Sequence, residues 1–445
     1  MEWIKKAVFY QIYPLGLVGA PKNNVGEVSP RLRQIKGWID YLKTLGVNAI
    51  YFGPLFEASS HGYDTKDYYH LDTRLGADSD LKDLINSCHE AGIRVVVDGV
   101  FNHVGREFWA FKDLKEKGLA SHYKDWFSQI NFNGQSPYGD GFSYEGWEGH
   151  YNLVKLNLHN EEVIQHLLGA VASWIDDFKM DGIRLDVAYR VDKGFLNRLR
   201  NFCKEKKPDF WLMGECIHGD YRTLIGPTLL DSTTNYECYK GIYSSHNDKN
   251  YFEINYSLNR LFGKGGIYQD LYLYNFVDNH DVSRIGSILK NPKHLENVYT
   301  LLFTMPGIPS IYYGSEWAIQ GEKKVGSDDG LRPAIACEEI QEQHALVKHI
   351  KRLIELKKAL KSLEGTSYET VLIKNEQLVF KREYRGESIW IALNLADQEF
   401  VIEIPQEAGR YEDLLEDQND YYSVSGKLKM TVAAHKGIIL KKVVG

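Results

Sequence analysis

The chain predicts an α/β fold. The expected architecture is a (β/α)8 TIM barrel, with a small domain inserted after the third strand and an antiparallel β-sandwich at the C-terminal end. Three observations predict it. Short apolar runs recur eight times, with polar or Gly-rich loops and helix-period stretches between them. The connection after the third run is far longer than the others. Beyond about residue 364 the apolar period changes from helical to two.

The runs are "AVFYQIYP" (7–14), "NAIYFGP" (48–54), "RVVVDGVFN" (94–102), "GIRLDVA" (182–188), "FWLMGE" (210–215), "LLDSTTNY" (229–236), "LYNFVDN" (273–279) and "IPSIYYG" (308–314). Repeated strand–helix alternation closes as a parallel barrel ringed by helices. "RLRQIKGWIDYLKTLG" (31–46) reads as a helix, and so does "SDLKDLINSCHEAG" (79–92). In the second, Ser79 is expected as N-cap and Gly92 as the stop. From Asn102-His103 to about Leu153 the chain is rich in Gly, Tyr, Trp and Phe, as in "NGQSPYGDGFSYEGWEGHYN". A connection this long is rarely structureless, so a subdomain of irregular β structure is expected over the barrel mouth. The barrel is thus expected over 1–103 and 154–363, the insert over 104–153 and the β domain over 364–445. The last barrel helix is "ALVKHIKRLIELKKAL", and "QLVFKREYRGESIWIALNLADQEFVIEIP" alternates, with Arg385-Gly386 as a hairpin turn.

Composition removes several function classes. The 445 residues are 43% apolar and 25% charged, a globular balance. The net charge is −7 with no long basic run, which argues against nucleic acid. No segment reaches the roughly 18 apolar residues that cross a bilayer, and "MEWIKKAVFYQIYP" has no signal-peptide core. The five cysteines are odd in number and lack metal-type spacing, so they read as free thiols of a reducing compartment, the cytoplasm. Aromatics are 13%, with 29 tyrosines. Tyrosine offers a flat face and a hydroxyl to a sugar ring, but it also fills cores, and composition alone does not separate the two.

In a barrel of this kind chemistry sits at the C-terminal strand ends. There the sequence places Asp98, Asn102 and His103 after strand three, Arg184 and Asp186 after strand four, Glu215 after strand five, and His280 and Asp281 after strand seven. Arg184 and Asp186 interrupt an apolar run, and alternation turns both to the same side, into the barrel mouth. The arginine is expected to keep Asp186 ionised as a nucleophile. Glu215 follows the apolar "FWLM", a setting that raises a carboxyl and keeps its proton. Two carboxyls of opposed protonation are what glycosidic cleavage needs. Asp281 adds a third, suited to sugar hydroxyls in the transition state. Any one such residue can simply brace a loop, but four strand ends carrying the required groups together point to a site. A divalent-metal site from Asp98, His103, Asp186, Glu215, His280 and Asp281 is the rival reading, against which Arg184 would sit repulsively beside the cation.

The motifs "DGVFNH", "GIRLDVA", "MGEC" and "FVDNHD" resemble, in order, the four motifs of the α-amylase superfamily of glycoside hydrolases. "HGYDTKDYY" (61–69) and "LVKLNL" (153–158) are similar to further motifs of that family. The resemblance covers essentially the whole chain. It implies a retaining hydrolase of α-1,4-glucosidic bonds in maltooligosaccharides or α-glucans, with transglycosylation as an added outcome. Asp186 would be the nucleophile, Glu215 the acid/base and Asp281 the transition-state stabiliser. Tyr63, Asp98, His103, Arg184, His280, Asp328 and Arg332 would bind substrate. The "KLN" triplet is similar to the neopullulanase and cyclomaltodextrinase branch, without that branch's extra N-terminal domain. The same motifs serve 4-α-glucanotransferases, α-1,6-glucosidases and glucosyl isomerases, and a catalytically silent sugar-binding scaffold is the non-enzyme alternative. Tyr189-Arg190 replace the Lys-His pair usual in calcium-binding members. No cofactor is therefore expected, with Asn102 the only calcium-ligand candidate. The resemblance gives Cys216 no role.

Overall fold

A computed structural model describes residues 1–416 and 419–443. Eight parallel strands form the barrel: β1 (Phe9–Ile12), β2 (Ala49–Phe52), β3 (Arg94–Gly99), β4 (Gly182–Leu185), β5 (Trp211–Gly214), β6 (Ser232–Thr233), β7 (Tyr274–Asn275) and β8 (Ile308–Tyr312). The sheet order is β7-β8-β1-β2-β3-β4-β5-β6, and a parallel bridge between Thr234 and Tyr274 closes the ring.

Alternation along each strand sorts the side chains. Val8, Tyr10, Ile12, Ile50, Phe52, Val95, Val97, Ile183, Leu185 and Leu212 point outward into the large core shared with the helices. Phe9, Ala49, Val96, Trp211, Met213, Tyr274 and Ile308 point inward and plug the lower barrel. Residues farther up the same inward rows are polar. In register Asp98 pairs with Arg184 and Arg184 with Met213. The charges in "GIRLDVA" therefore do not interrupt a core. They are the upper storey of a barrel interior whose lower storey is apolar.

The helix expected over 31–46 is two, Leu32–Lys36 and Ile39–Leu45, with Gly37 between them. A Cβ on Gly37 would lie 2.7 Å from Cys337 Sγ, so the missing side chain lets Cys337 approach. The next helix, Asp78–Glu90, starts at an N-cap of Ala77, and Ser79 lies inside its first turn rather than capping it. Asp80 supplies the cap by accepting from the Ala77 N–H at 3.0 Å. Gly92 follows with φ +75°, the left-handed stop expected there.

The insert contains a three-stranded sheet (His103–Gly105, Gly146–Trp147, His150–Lys155) and also a helix, Trp109–Lys117, where only β structure was expected. Ala110, Phe111 and Leu114 form that helix's buried face. Past the last barrel helix, Ala345–Ala359, eight antiparallel strands follow between Glu369 and Lys442. The sheet folds over a core that includes Trp390, Ile402, Tyr411, Met430 and Leu440. Its other rows, Phe380, Ile391 and Ile439 among them, join the barrel's core. Arg385 and Gly386 both have positive φ, the two-residue turn that matches strand twist.

Candidate active site

Arg184 is the centre of the site. Its side chain is 3% exposed. Nη1 donates to Asp98 Oδ1 and to Asp186 Oδ1, each at 2.8 Å, and Nη2 lies 3.0 Å from Glu215 Oε1. Three neighbouring strands thus converge on one guanidinium. Glu215 Oε2 accepts from the Val187 N–H at 2.9 Å. Tyr51 and Tyr63 donate to Asp98 Oδ2 at 2.9 and 3.0 Å.

This arrangement changes the expected electrostatics. Burial pushes the Asp186 carboxyl well above its ordinary range; Arg184 opposes this, while Glu215 and Asp98 add to it. Burial also raises Glu215, again with Arg184 opposing and Asp281 adding. Arg184 therefore does not simply hold Asp186 ionised, because one cation is divided among three carboxylates. Both carboxyls of the Asp186–Glu215 pair are therefore pushed above their ordinary range, and they titrate as a pair. The rise in Glu215 comes first from burial, the direction expected from its apolar approach "FWLM".

Asp281 is the opposite case. Burial raises it, but His280 Nε2 at 3.0 Å and Arg332 Nη2 at 3.0 Å outweigh burial and hold it well below the usual carboxylate range. Arg332 Nη2 also reaches Asp328 Oδ2 at 3.0 Å, so Asp328 and Arg332 join Asp281 directly. Gln11 Nε2 lies 2.7 Å from His280 Nδ1 and fixes the ring's orientation. The Tyr63 hydroxyl also bonds His280 Nε2, and the two rings stack with centroids 5.8 Å apart. Tyr13 stacks on His280 from 5.9 Å. His103 Nε2 lies 3.9 Å from Asp186 Oδ2 with no hydrogen-bond partner, and burial pushes the ring down to about 3, so it is neutral.

The structure brings Tyr63, Asp98, His103, Arg184, Asp186, Glu215, His280, Asp281, Asp328 and Arg332 into one network. Gln11, Tyr13 and Tyr51 belong to it too, and sequence reasoning missed them. Gln11 was detectable as the one amide in an apolar strand, and Tyr51 as its inward neighbour in register. Asn279 was also missed: it accepts from the Asp281 N–H at 2.8 Å and donates to the Tyr236 hydroxyl at 3.1 Å.

Asn102 Oδ1 is buried without a partner. A calcium ion takes about six to eight oxygens, and among the described residues no group of three His, Cys, Asp or Glu is arranged to hold a metal.

Comparison with known proteins decides the family. The α-amylase catalytic domain matches residues 11–359. The chain belongs to the α-amylase family. It is a glycoside hydrolase by that membership. A maltogenic α-amylase of Bacillus acidopullulyticus is 33% identical over 420 residues, 88% of this chain and 70% of the relative. A cyclomaltodextrinase of Thermoanaerobacter pseudethanolicus is 31% identical over 435 residues, covering 93% and 74%. Among solved structures, a cyclomaltodextrinase superposes with a TM-score of 0.85 at 28% identity over 99% of this chain and 78% of that one. An Anoxybacillus α-amylase does so at 0.84 and 26%, over 99% of both chains.

Proposed function

We propose that this α-amylase family member hydrolyses α-1,4 bonds of maltooligosaccharides by double displacement, with transglycosylation when a sugar replaces water. The carrying observation is Arg184 holding Asp186 and Glu215 together beside an ionised Asp281. Two carboxyls on one guanidinium favour the spacing of about 5 Å used by retaining enzymes over the wider gap that admits a water.

Asp186 attacks the anomeric carbon as Glu215 gives its proton to the glycosidic oxygen, and the leaving sugar departs with that proton. This assigns the proton to Glu215, which the Asp281 anion raises, and the anion to Asp186, to which Arg184 donates at 2.8 Å. Glu215 then takes a proton from water, the hydroxide displaces Asp186, and the product keeps its anomeric configuration. Asp281 and His280 bond the hydroxyls of the distorted ring more strongly in the transition state than before it. Tyr63 offers a face to the sugar, Tyr13 braces His280 from behind, and neutral His103 donates through its free Nε2.

Substrate class follows the relatives, which are named as cyclomaltodextrinases, maltogenic amylases and a neopullulanase. A cytoplasmic location is supported by five thiols outside any disulfide and by a 31% identical intracellular maltogenic amylase of Bacillus subtilis. Catalysis without a resident calcium is part of the same proposal.

Anomeric analysis tests it. Proton NMR during early hydrolysis of maltotetraose is expected to show α-configured product first, with cyclodextrin also opened and isomaltose resistant. β-Product first, or preference for isomaltose, would overturn the reading. Asp186→Asn is expected to cut turnover by at least about 10³-fold with unchanged circular dichroism.

A further inference from the structure

Strand β4 ends abnormally. The last regular rungs are Asp186 N–H to Gly99 O at 3.1 Å on one side and Glu215 N–H to Leu185 O at 2.9 Å on the other. In a parallel ladder the N–H of residue 187 would next face β5 and seek a main-chain oxygen there. It does not. Val187 has φ +40° and ψ +46°, the left-handed region, and is 4% exposed. That conformation is an outlier for a β-branched residue and persists only where the surroundings enforce it. The turn sends the chain into a single helical turn, Ala188–Arg190, with the Val187 carbonyl accepting from the Arg190 N–H at 2.8 Å. The freed Val187 N–H lies 2.9 Å from Glu215 Oε2.

Glu215 has two carboxyl oxygens and two fixed partners, a cation and an amide donor. Oε1 is held by Arg184, which the nucleophile and Asp98 share. Oε2 is held by the amide immediately after the nucleophile. A side-chain donor can swing away, but this one can move only with the backbone of Asp186.

Resting on the acid/base reading of Glu215, we propose that Val187 is a positioning residue: its left-handed turn takes an amide off the sheet ladder and sets it on Glu215 Oε2, tying the acid/base to the nucleophile's own backbone. The same bond favours the carboxylate. Burial raises Glu215, while Arg184 and the Val187 N–H pull it back. The residue thus keeps the group able both to give a proton and to take one.

The test removes the N–H and nothing else. Val187 is replaced by its α-hydroxy acid analogue, which turns the amide into an ester and keeps the side chain. The alkaline limb of kcat/KM for maltotriose is expected to move up by about 0.5 to 1 pH unit. kcat is expected to fall about 10-fold, with KM changed less. Val187→Gly, which keeps the N–H and suits positive φ, is expected to hold the limb at its wild-type position. An unmoved limb in the ester enzyme, or the same shift in the glycine variant, would overturn the proposal.

A second measurement needs no altered backbone. In wild-type enzyme labelled with ¹⁵N-valine, the Val187 amide, assigned through Val187→Ile, is expected to titrate with Glu215 and to lose that titration in Glu215→Gln. An amide that ignores pH would refute the contact. A Glu215→Gln enzyme fully active on maltotriose would instead remove the acid/base reading itself. An inactive Glu215→Gln with a silent Val187 amide would remove only the positioning role.

Discussion

Replacing Arg184 by methionine keeps most of the buried stem and removes the charge. In the wild-type site one guanidinium serves Asp98, Asp186 and Glu215 at 2.8, 2.8 and 3.0 Å. Without it the three carboxyls stay buried with no cation. Removing one partner of a buried ion pair costs about 3–5 kcal/mol. Loss of an adjacent opposite charge raises a carboxyl by about 1–3 pH units, so the ionised fraction of Asp186 near neutrality falls. Turnover should fall in proportion and recover partly as pH rises. Stability should move the other way. Carboxyls whose folded-state pKa exceeds the unfolded value destabilise the fold once pH passes the unfolded value, increasingly up to the folded one, and do so little below about pH 4. The Tm deficit of Arg184→Met should therefore be small in acid and large at neutral pH. The assays are kcat/KM for an aryl α-maltoside against pH, and calorimetric Tm at several pH values. Wild-type turnover together with a Tm deficit independent of pH would refute the shared-cation account.

Glu215→Gln should suffer far less on an activated aryl maltoside than on maltotriose, because a good leaving group needs little protonation; equal losses, measured as single-turnover rates, would count against Glu215 as the acid. Arg332→Ala should raise Asp281, since Arg332 lies 3.0 Å from it and helps hold it low. Asp281 starts so far below neutrality that the acid limb of kcat/KM should stay in place while kcat/KM falls about 10-fold, and a limb that moves would show Asp281 to be less depressed than this account holds. Dialysis against EDTA should leave kcat and Tm unchanged, and loss of either, restored by calcium, would show that Asn102 has partners after all.

Much of this was legible in the sequence, for a physical reason. Barrel strands alternate, and a polar residue in an inward row has no place except near the mouth, so Asp98, Arg184, Asp186 and Glu215 announced themselves against apolar neighbours. The double period of the C-terminal segment and the Arg385-Gly386 turn were equally plain, because both are local. What stayed hidden depends on distant contacts. Position 37 has room only for a glycine because Cys337, far along the chain, packs against it. The helix Trp109–Lys117 carries its apolar face in a stretch dominated by turn residues farther on. Gln11 stands out as an amide, but its partner and that of Tyr51 emerge only when the barrel closes and aims them at His280 and Asp98. The charge state of Asp186 needs the number of carboxylates around Arg184, and spacing along one strand cannot supply it.

The central claim is that the Asp186 carboxylate bonds covalently to the sugar while Glu215 manages the proton. A 5-fluoro-α-glucosyl or maltosyl fluoride slows breakdown of such an intermediate enough to isolate it. Intact mass followed by peptide mapping should show one glycosyl unit per chain, on the peptide containing Asp186, released when maltose is added as acceptor. Turnover of that reagent with no adduct, or an adduct on any other side chain, would contradict the account.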